Sequence, residues 1–354
     1  MKNIVITGGA GFAGSNLATL FRTHFPQSNI ICFDNLKRRG SELSLARLRE
    51  NKIAFVHGDV RIKEDLLELP KADLIIDCAA EPSVLAGVTG SPDYVIQTNL
   101  GGTLNCLELA RRDNAAFIFL STSRVYPVEP INSLSYDETP TRFTLSKNQQ
   151  TPGASEHGIS ERFPLEGIRS LYGASKLSSE LMVQEYAAAY GVKAIINRCG
   201  VLTGPWQMGK VDQGVVVLWA AKHIFGGELS YVGFDGSGKQ VRDILHIRDL
   251  FALLVEQLKE VDSWSAEVFN VGGGTAGSVS LRELTDLCRE SSGNEIQILR
   301  SNESRPNDLV SYVTDSTKVM QRFKWQPRIL PADIIREIVS WIQDNREALR
   351  PFLS

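Results

Sequence analysis

The sequence predicts an α/β fold, a doubly wound parallel sheet with a smaller α/β lobe towards the C-terminus. Three observations predict it. Short β-branched runs alternate with helical patterns through the first half of the chain, the arrangement that builds parallel sheets from right-handed crossovers. These runs are apolar almost throughout rather than alternating, which suits strands covered on both faces. Beyond Gly200 glycines and aromatics become frequent and helical patterns shorten, marking a second body.

Residues 2–7 read as the first strand and 12–24 as the helix after it. Strands are expected at 30–34, 54–58, 74–79 and 117–121, with an amphipathic stretch at 101–113 before the last of these. From 128 to 170 the pattern dissolves into Pro, Ser, Thr, Asn and Gly. That is too long for an ordinary connection and reads as a functional loop region. A helix is expected at 172–190, a strand at 192–198 and a closing helix at 331–346. Residues 1–200, with 240–262 returning, are assigned to the first domain; 201–239 and 263–354 form the substrate-binding lobe.

The 354 residues are 43% hydrophobic and 22% charged, an ordinary globular profile that argues against disorder. Net charge is −3 with both signs interspersed, and no basic run is dense enough to follow a nucleic-acid backbone. No secretory signal pattern and no window near the ~18 apolar residues of a membrane span is found. Cys32, Cys78, Cys106, Cys199 and Cys288 share no close-pair or metal spacing. They read as free thiols in a reducing compartment, so a cytoplasmic protein without a metal site is expected.

Gly8-Gly9-Ala10-Gly11-Phe12-Ala13-Gly14 lies directly after one strand and before one helix. Gly8 permits the tight turn, Gly11 leaves room for a pyrophosphate, and Gly14 lets helix and strand pack closely. The positive end of the helix dipole then faces the phosphates, a Rossmann-type dinucleotide site. Asp34 ends the second strand, where its carboxylate can accept hydrogen bonds from the adenosine ribose and repel the extra phosphate of NADP. Lys37, Arg38 and Arg39 follow on a loop and could receive that phosphate, but the carboxylate stands nearer, so NAD is favoured. Asp59 is placed either to meet the adenine amino group or to cap the helical stretch 63–69.

Tyr172 and Lys176 stand one turn apart on one helix face. The lysine charge lowers the phenol's proton affinity, making Tyr172 a usable general base. A lone Tyr-x-x-x-Lys is usually a solvated helix face. Here Ser121-Thr122-Ser123 ends a strand at the sheet edge where ligands bind, which makes a site the better reading.

With Asp34-Asn35, Gly58-Asp59-Val60 and Ser121-Thr122-Ser123-Arg124-Val125-Tyr126, the chain resembles the extended short-chain dehydrogenases that modify nucleotide sugars. Gly238-Lys239-Gln240-Val241-Arg242-Asp243-Ile244-Leu245-His246 and Arg305-Pro306-Asn307-Asp308 match that family's diphosphate-binding segments in type and order. The resemblance therefore spans essentially the whole chain. It implies Thr122, Tyr172 and Lys176 as catalytic residues, the hydroxyl four residues before Tyr126 being chosen over Ser121 and Ser123. It extends the cofactor-binding set from Gly8, Gly11, Phe12, Ala13, Gly14, Asp34 and Asp59 to Asn35, Arg38, Val60, Ala79, Ala80, Asn99 and Cys199, with Tyr172 and Lys176. It implies Ser123, Arg124, Gln213, Arg242, Arg305 and Asp308 as substrate-binding. The two arginines serve as planar diphosphate clamps, although without the family context they would read as surface ion pairs.

The resemblance also bears on the reaction. Dehydratases of the family carry an acid directly after the catalytic hydroxyl residue, and here Ser123 stands there, so epimerisation is favoured over dehydration. Within the family, residues 209–214, 137–142 and 238–243 are most similar to the CDP-paratose 2-epimerase branch. Val201 replaces the polar residue usual at that point, which makes 199–214 the least transferable region. A 4-epimerase, a net-redox dehydrogenase or reductase, and a non-catalytic NAD sensor are the alternatives; a sensor would be expected to lose Tyr172 or Lys176. A homodimer or homotetramer is expected by analogy, through 101–113 and 172–190, although Leu104, Leu107, Leu181 and Tyr186 could equally be core positions.

Overall fold

The apolar runs assemble into one seven-stranded parallel sheet. Its spatial order is Glu267–Val271, Ala194–Cys199, Ala116–Thr122, Leu74–Asp77, Asn3–Thr7, Asn29–Asp34, Ala54–His57. Ile4 lies opposite Ile30 on one side and Leu74 on the other. The chain thus winds outward from Asn3–Thr7 in one direction, then returns to wind in the other. The switch point falls beside the first strand, whose carboxyl end leads into Gly8, and such points are where open α/β sheets bind ligands. The computed structural model describes residues 1–354 except Thr89, Lys210, Val211, Asp212, Ser304 and Arg305.

Leu74–Asp77, Ala116–Thr122 and Ala194–Cys199 are buried at every position, as strands covered on both faces must be. Phe117, Phe119 and Ile196 join Cys106, Leu107, Ala110 and Val183 in one core cluster, so helices Gly102–Asp113 and Leu171–Tyr190 cover the same sheet face. Truncating a core aromatic such as Phe117 to alanine would cost about 3–5 kcal/mol.

The chain divides into two compact units: residues 1–125, 170–198 and 251–269, and residues 126–169, 199–250 and 270–354. The boundaries differ from the sequence reading at residues 126–169 and 199–200 and at both ends of the returning segment, which runs 251–269 rather than 240–262. Residues 126–169 fall in the second unit and are less irregular than expected. They hold a helix, Val128–Asn132, and two small hairpins, Tyr136–Glu138 with Phe143–Leu145 and Ala154–Ser155 with Gly158–Ile159. The return to the first unit begins at 251, not 240, because Val241–His246 is a strand of the second unit's own sheet. It pairs there with Val201–Thr203, Ser278–Ser280 and Ser311–Tyr312. The strand Glu267–Val271 was not anticipated; its five residues carry too little pattern to stand out.

In the second unit, helices Val215–Phe225, Leu281–Ser292 and Pro331–Asp344 pack on one another. Leu281–Ser292 starts at a capping box, Ser280 accepting from the Glu283 N–H while the Glu283 carboxylate accepts from the Ser280 N–H. A further helix, Arg346–Leu353, follows Pro331–Asp344. Among the described residues no helix is long and apolar enough to cross a membrane.

Candidate active site

Packing requires glycine in the turn after the first strand. Gly8 has φ +61°, and a Cβ on Gly14 would lie 2.3 Å from the Gly8 carbonyl oxygen. Gly11, by contrast, would meet nothing closer than 3.1 Å, and as N-cap of Phe12–His24 it supplies no side-chain cap. The first N–H groups of this 13-residue helix therefore face an open, glycine-walled turn, which fits a pyrophosphate.

Asp34 borders that turn. Its Oδ2 accepts from the Ala10 N–H at 3.1 Å and its Oδ1 from the Leu36 N–H at 2.7 Å. Burial pushes its carboxyl above the usual range, while the N–H groups of Leu36, Ala10 and Gly11 and nearby His57 pull it back. Asp59 is not a helix cap, because Ile62 holds that position for Lys63–Leu67. Its oxygens accept from Asn35 Nδ2 at 2.9 Å and from Arg61 Nε and Nη2 at 3.0 and 2.8 Å. Burial would raise its carboxyl, but the Arg61 and Asn35 hydrogen bonds outweigh it and hold the group at about 2. Arg61 also lies 4.9 Å from the Tyr94 ring centroid, and Lys37 approaches the same ring at 5.5 Å. Sequence reasoning missed Arg61, although its place two residues after Asp59 was the available signal. Arg38 accepts at its carbonyl from Ser41, fixing the turn after Asn35. Val60 packs beneath Gly102, and the Ala79 N–H donates to Thr7 Oγ1 with Ala80 following.

Thr122 closes its strand, buried, and its Oγ1 accepts from the Arg124 N–H at 3.1 Å across the turn Ser123–Val125. Tyr172 and Lys176 stand in the first turns of Leu171–Tyr190, started by Ser170, whose hydroxyl accepts from the Gly173 N–H. Tyr172 is half-buried; Lys176 is 2% exposed, with its Nζ 3.9 Å from the Phe119 ring centroid. One turn further, Glu180 accepts from Ser121 Oγ at 2.5 Å and from Arg198 Nε and Nη2 at 3.0 and 2.6 Å. Sequence reasoning missed this pair, though the Tyr172, Lys176, Glu180 spacing shares one helix face.

Asn99 sits in a widened turn, Gln97–Gly101, with i→i+5 bonding of the kind frequent at functional sites. Its Nδ2 donates to Ser175 Oγ and the Glu81 carbonyl at 3.0 and 3.2 Å, and its Oδ1 accepts from the Glu81 N–H at 2.7 Å. The amide is thus engaged in joining the loop after Leu74–Asp77 to the Tyr172 helix.

The second unit holds the other expected residues. Arg242 Nη2 lies 2.7 Å from Asp308 Oδ1, and its Nη1 donates to the Val241 carbonyl at 2.7 Å. Burial lowers the Arg242 guanidinium's proton affinity, which the charge of Asp308 partly restores. Cys199 is buried at a strand end, and Gln213 is half-buried before Val215–Phe225. Arg305 and residues 210–212 of the 209–214 segment lie outside the described residues. None of the five cysteines is in a disulfide, Cys78 is the least buried, and among the described residues no cluster could hold a metal.

Residues 4–272 match the NAD dependent epimerase/dehydratase family. The chain belongs to that family. It is 31% identical over 345 residues to CDP-paratose 2-epimerase of Salmonella typhi, covering 96% of this chain and 98% of that protein. It is 29% identical over 360 residues to dTDP-glucose 4,6-dehydratase of Streptomyces niveus, covering 99% and 96% respectively. Among solved structures, dTDP-glucose 4,6-dehydratase of Streptomyces venezuelae with NAD bound superposes at a TM-score of 0.79, with 26% identity and 99% of each chain covered. UDP-glucose 4-epimerase of Thermotoga maritima shares the fold at a TM-score of 0.76, with 24% identity and 97% and 99% of the two chains covered. The family is NAD-dependent, and the glycine turn and the uncapped helix start are the features here that suit that cofactor.

Proposed function

We propose that this family member is a nucleotide-sugar epimerase that inverts C2 of a CDP-hexose such as CDP-paratose through a transient keto-sugar. The reading is carried by 31% identity along nearly all of a CDP-paratose 2-epimerase. Ser123 supports it: a hydroxyl stands where an eliminating enzyme of this type needs an acid.

In this reading Lys176 stabilises the Tyr172 phenolate, which takes the proton of the sugar hydroxyl, and Thr122 holds the sugar oxygen by hydrogen bonding. Bound NAD supplies the hydride acceptor and, on return, the donor. Asp34, Asn35 and the glycine turn hold the cofactor's adenosine and pyrophosphate. Arg242, oriented by its ion pair with Asp308, and Arg305 grip the substrate diphosphate while the keto-sugar turns over. Tyr172 then gives its proton back to the inverted alcohol, serving as base in one half-reaction and acid in the other.

The test is incubation of the holoenzyme with CDP-, UDP-, GDP- and dTDP-hexoses, followed by NMR of the sugar. Inversion at C2 of a CDP-hexose without net NADH is expected. Unchanged configuration across the panel with net NADH would sink the reading, as would a 4,6-dehydration product. We further infer a homodimer or homotetramer through helices Gly102–Asp113 and Leu171–Tyr190. Leu181, 56% exposed, suits such a face; Leu107 does not, because it lies in the core.

A further inference from the structure

We propose that Glu180 is a positioning residue of the reaction centre. Paired with Arg198, it holds the strand end bearing Thr122 against the helix turn bearing Lys176, and it keeps a buried positive charge from acting on Tyr172. The proposal rests on the reading of Tyr172 as the base.

Three elements meet at one carboxylate. Glu180 is 1% exposed on Leu171–Tyr190, one turn beyond Lys176. Ser121, the residue before Thr122, donates to its Oε1 at 2.5 Å. Arg198, 5% exposed on Ala194–Cys199, donates Nε to both oxygens at 3.0 Å and Nη2 to Oε2 at 2.6 Å. Phe119 and Ser121 project to one side of their strand, Lys176 and Glu180 to one side of their helix. Helix and strand are therefore joined at two matched points, Lys176 over Phe119 and Glu180 on Ser121. The bond on Ser121 fixes the backbone that carries Thr122.

Stability alone is a poor reason for such a pair, since buried ion pairs are often replaceable by apolar residues without loss. What the carboxylate does beyond packing is electrostatic. Glu180 lies eight residues, about 12 Å, along the helix from Tyr172. With Arg198 balanced, the field at the phenol is left to Lys176. With Glu180 neutral, Arg198 adds its charge and favours the phenolate. At an effective dielectric of about 20, losing the Glu180 charge at about 12 Å lowers the phenol's titration midpoint by about one pH unit. Elements packed on this helix also carry Arg124, Asp93, Tyr94 and the Glu108–Arg111 and Arg112–Asp113 pairs. All of these stay unchanged in the variants below.

The test is an ultraviolet difference titration of the NAD-bound enzyme, with Tyr172→Phe as the blank that isolates this phenol. Glu180→Gln keeps shape and an acceptor for Ser121; its midpoint is expected to fall by about one unit while substrate KM stays within about two-fold. The double variant Glu180→Leu with Arg198→Met removes both charges, and its midpoint should return to the wild-type value. A Glu180→Gln midpoint equal to wild type, or a double variant shifted as far as the single one, overturns the proposal. Ser121→Ala covers the case where Glu180→Gln does not fold. It leaves both charges, so the midpoint should hold while kcat falls about ten-fold on whichever sugar is turned over; unchanged kcat counts against positioning. The titration needs no substrate, so it stands apart from the identity of the sugar.

Discussion

The Thr122–Tyr172–Lys176 region of the first unit and the Arg242–Asp308 region of the second carry their residues in different ways. In the first, each side chain is set by a regular element: a strand end, a helix turn, a core lysine over Phe119. In the second, Arg242 comes from a short sheet and Asp308 from an irregular stretch, and one ion pair at 2.7 Å links them across 66 positions. Chemistry is thus built on rigid spacing. In the proposed reading, recognition joins one strand residue to an irregular stretch, where substitution changes specificity without disturbing the large sheet.

The largest expected effect breaks the first region. Tyr172→Phe should lower kcat by about 10²–10⁴ while leaving NAD bound, measured by turnover and by cofactor content after gel filtration. Activity within ten-fold of wild type would mean that the base lies elsewhere. Arg242→Met tests the second region. Losing charged hydrogen bonds worth about 1.5–3 kcal/mol should raise substrate KM by about 10–100-fold, with kcat within a few-fold. A kcat loss as large as that of Tyr172→Phe, with KM unmoved, would erase the division between chemistry and grip.

The smallest effect concerns stability in the second unit. Burial and the charge of Arg248 push the His246 imidazole down to about 4, and its Nδ1 accepts from the Arg248 N–H at 3.1 Å. Glu337, 3.5 Å from Nε2, opposes this, but it is partly exposed and shared with Arg248. The unfolded imidazole takes up a proton near 6.5 whereas the folded one stays neutral to about 4, so the unfolded state binds more protons between them. Stability should therefore fall as pH drops from 6.5 to 4, by about 3 kcal/mol at most. His246→Asn, which preserves the acceptor, should flatten that part of the Tm-against-pH curve; an unaltered slope would assign the loss to other groups.

Legibility followed the same division. The helix Phe12–His24 and six of the sheet's seven strands announced themselves within a few residues of their ends, because covered strands and amphipathic helices have strong local patterns. Glu267–Val271 did not, and residues 128–170 read as loop although they hold hairpins of two or three residues per strand, too short for any periodicity. Leu107 could be read as an outer position or as core; only packing placed it inside.

By itself the sequence determined what depends on neighbours along the chain: the glycine turn, Asp34 at its strand end, the Tyr172–Lys176 turn and the run of hydroxyls Ser121, Thr122 and Ser123 at a strand end. These follow from helical and extended periods and from the steric needs of one turn. Only the tertiary structure decided that Asp59 is held by Arg61 and Asn35 rather than capping a helix. It alone brought Glu180, Ser121 and Arg198 to one buried point from residues 59 and 18 positions apart. The physical reason is that such contacts are chosen by the packing of helix on sheet, which no single window of sequence contains.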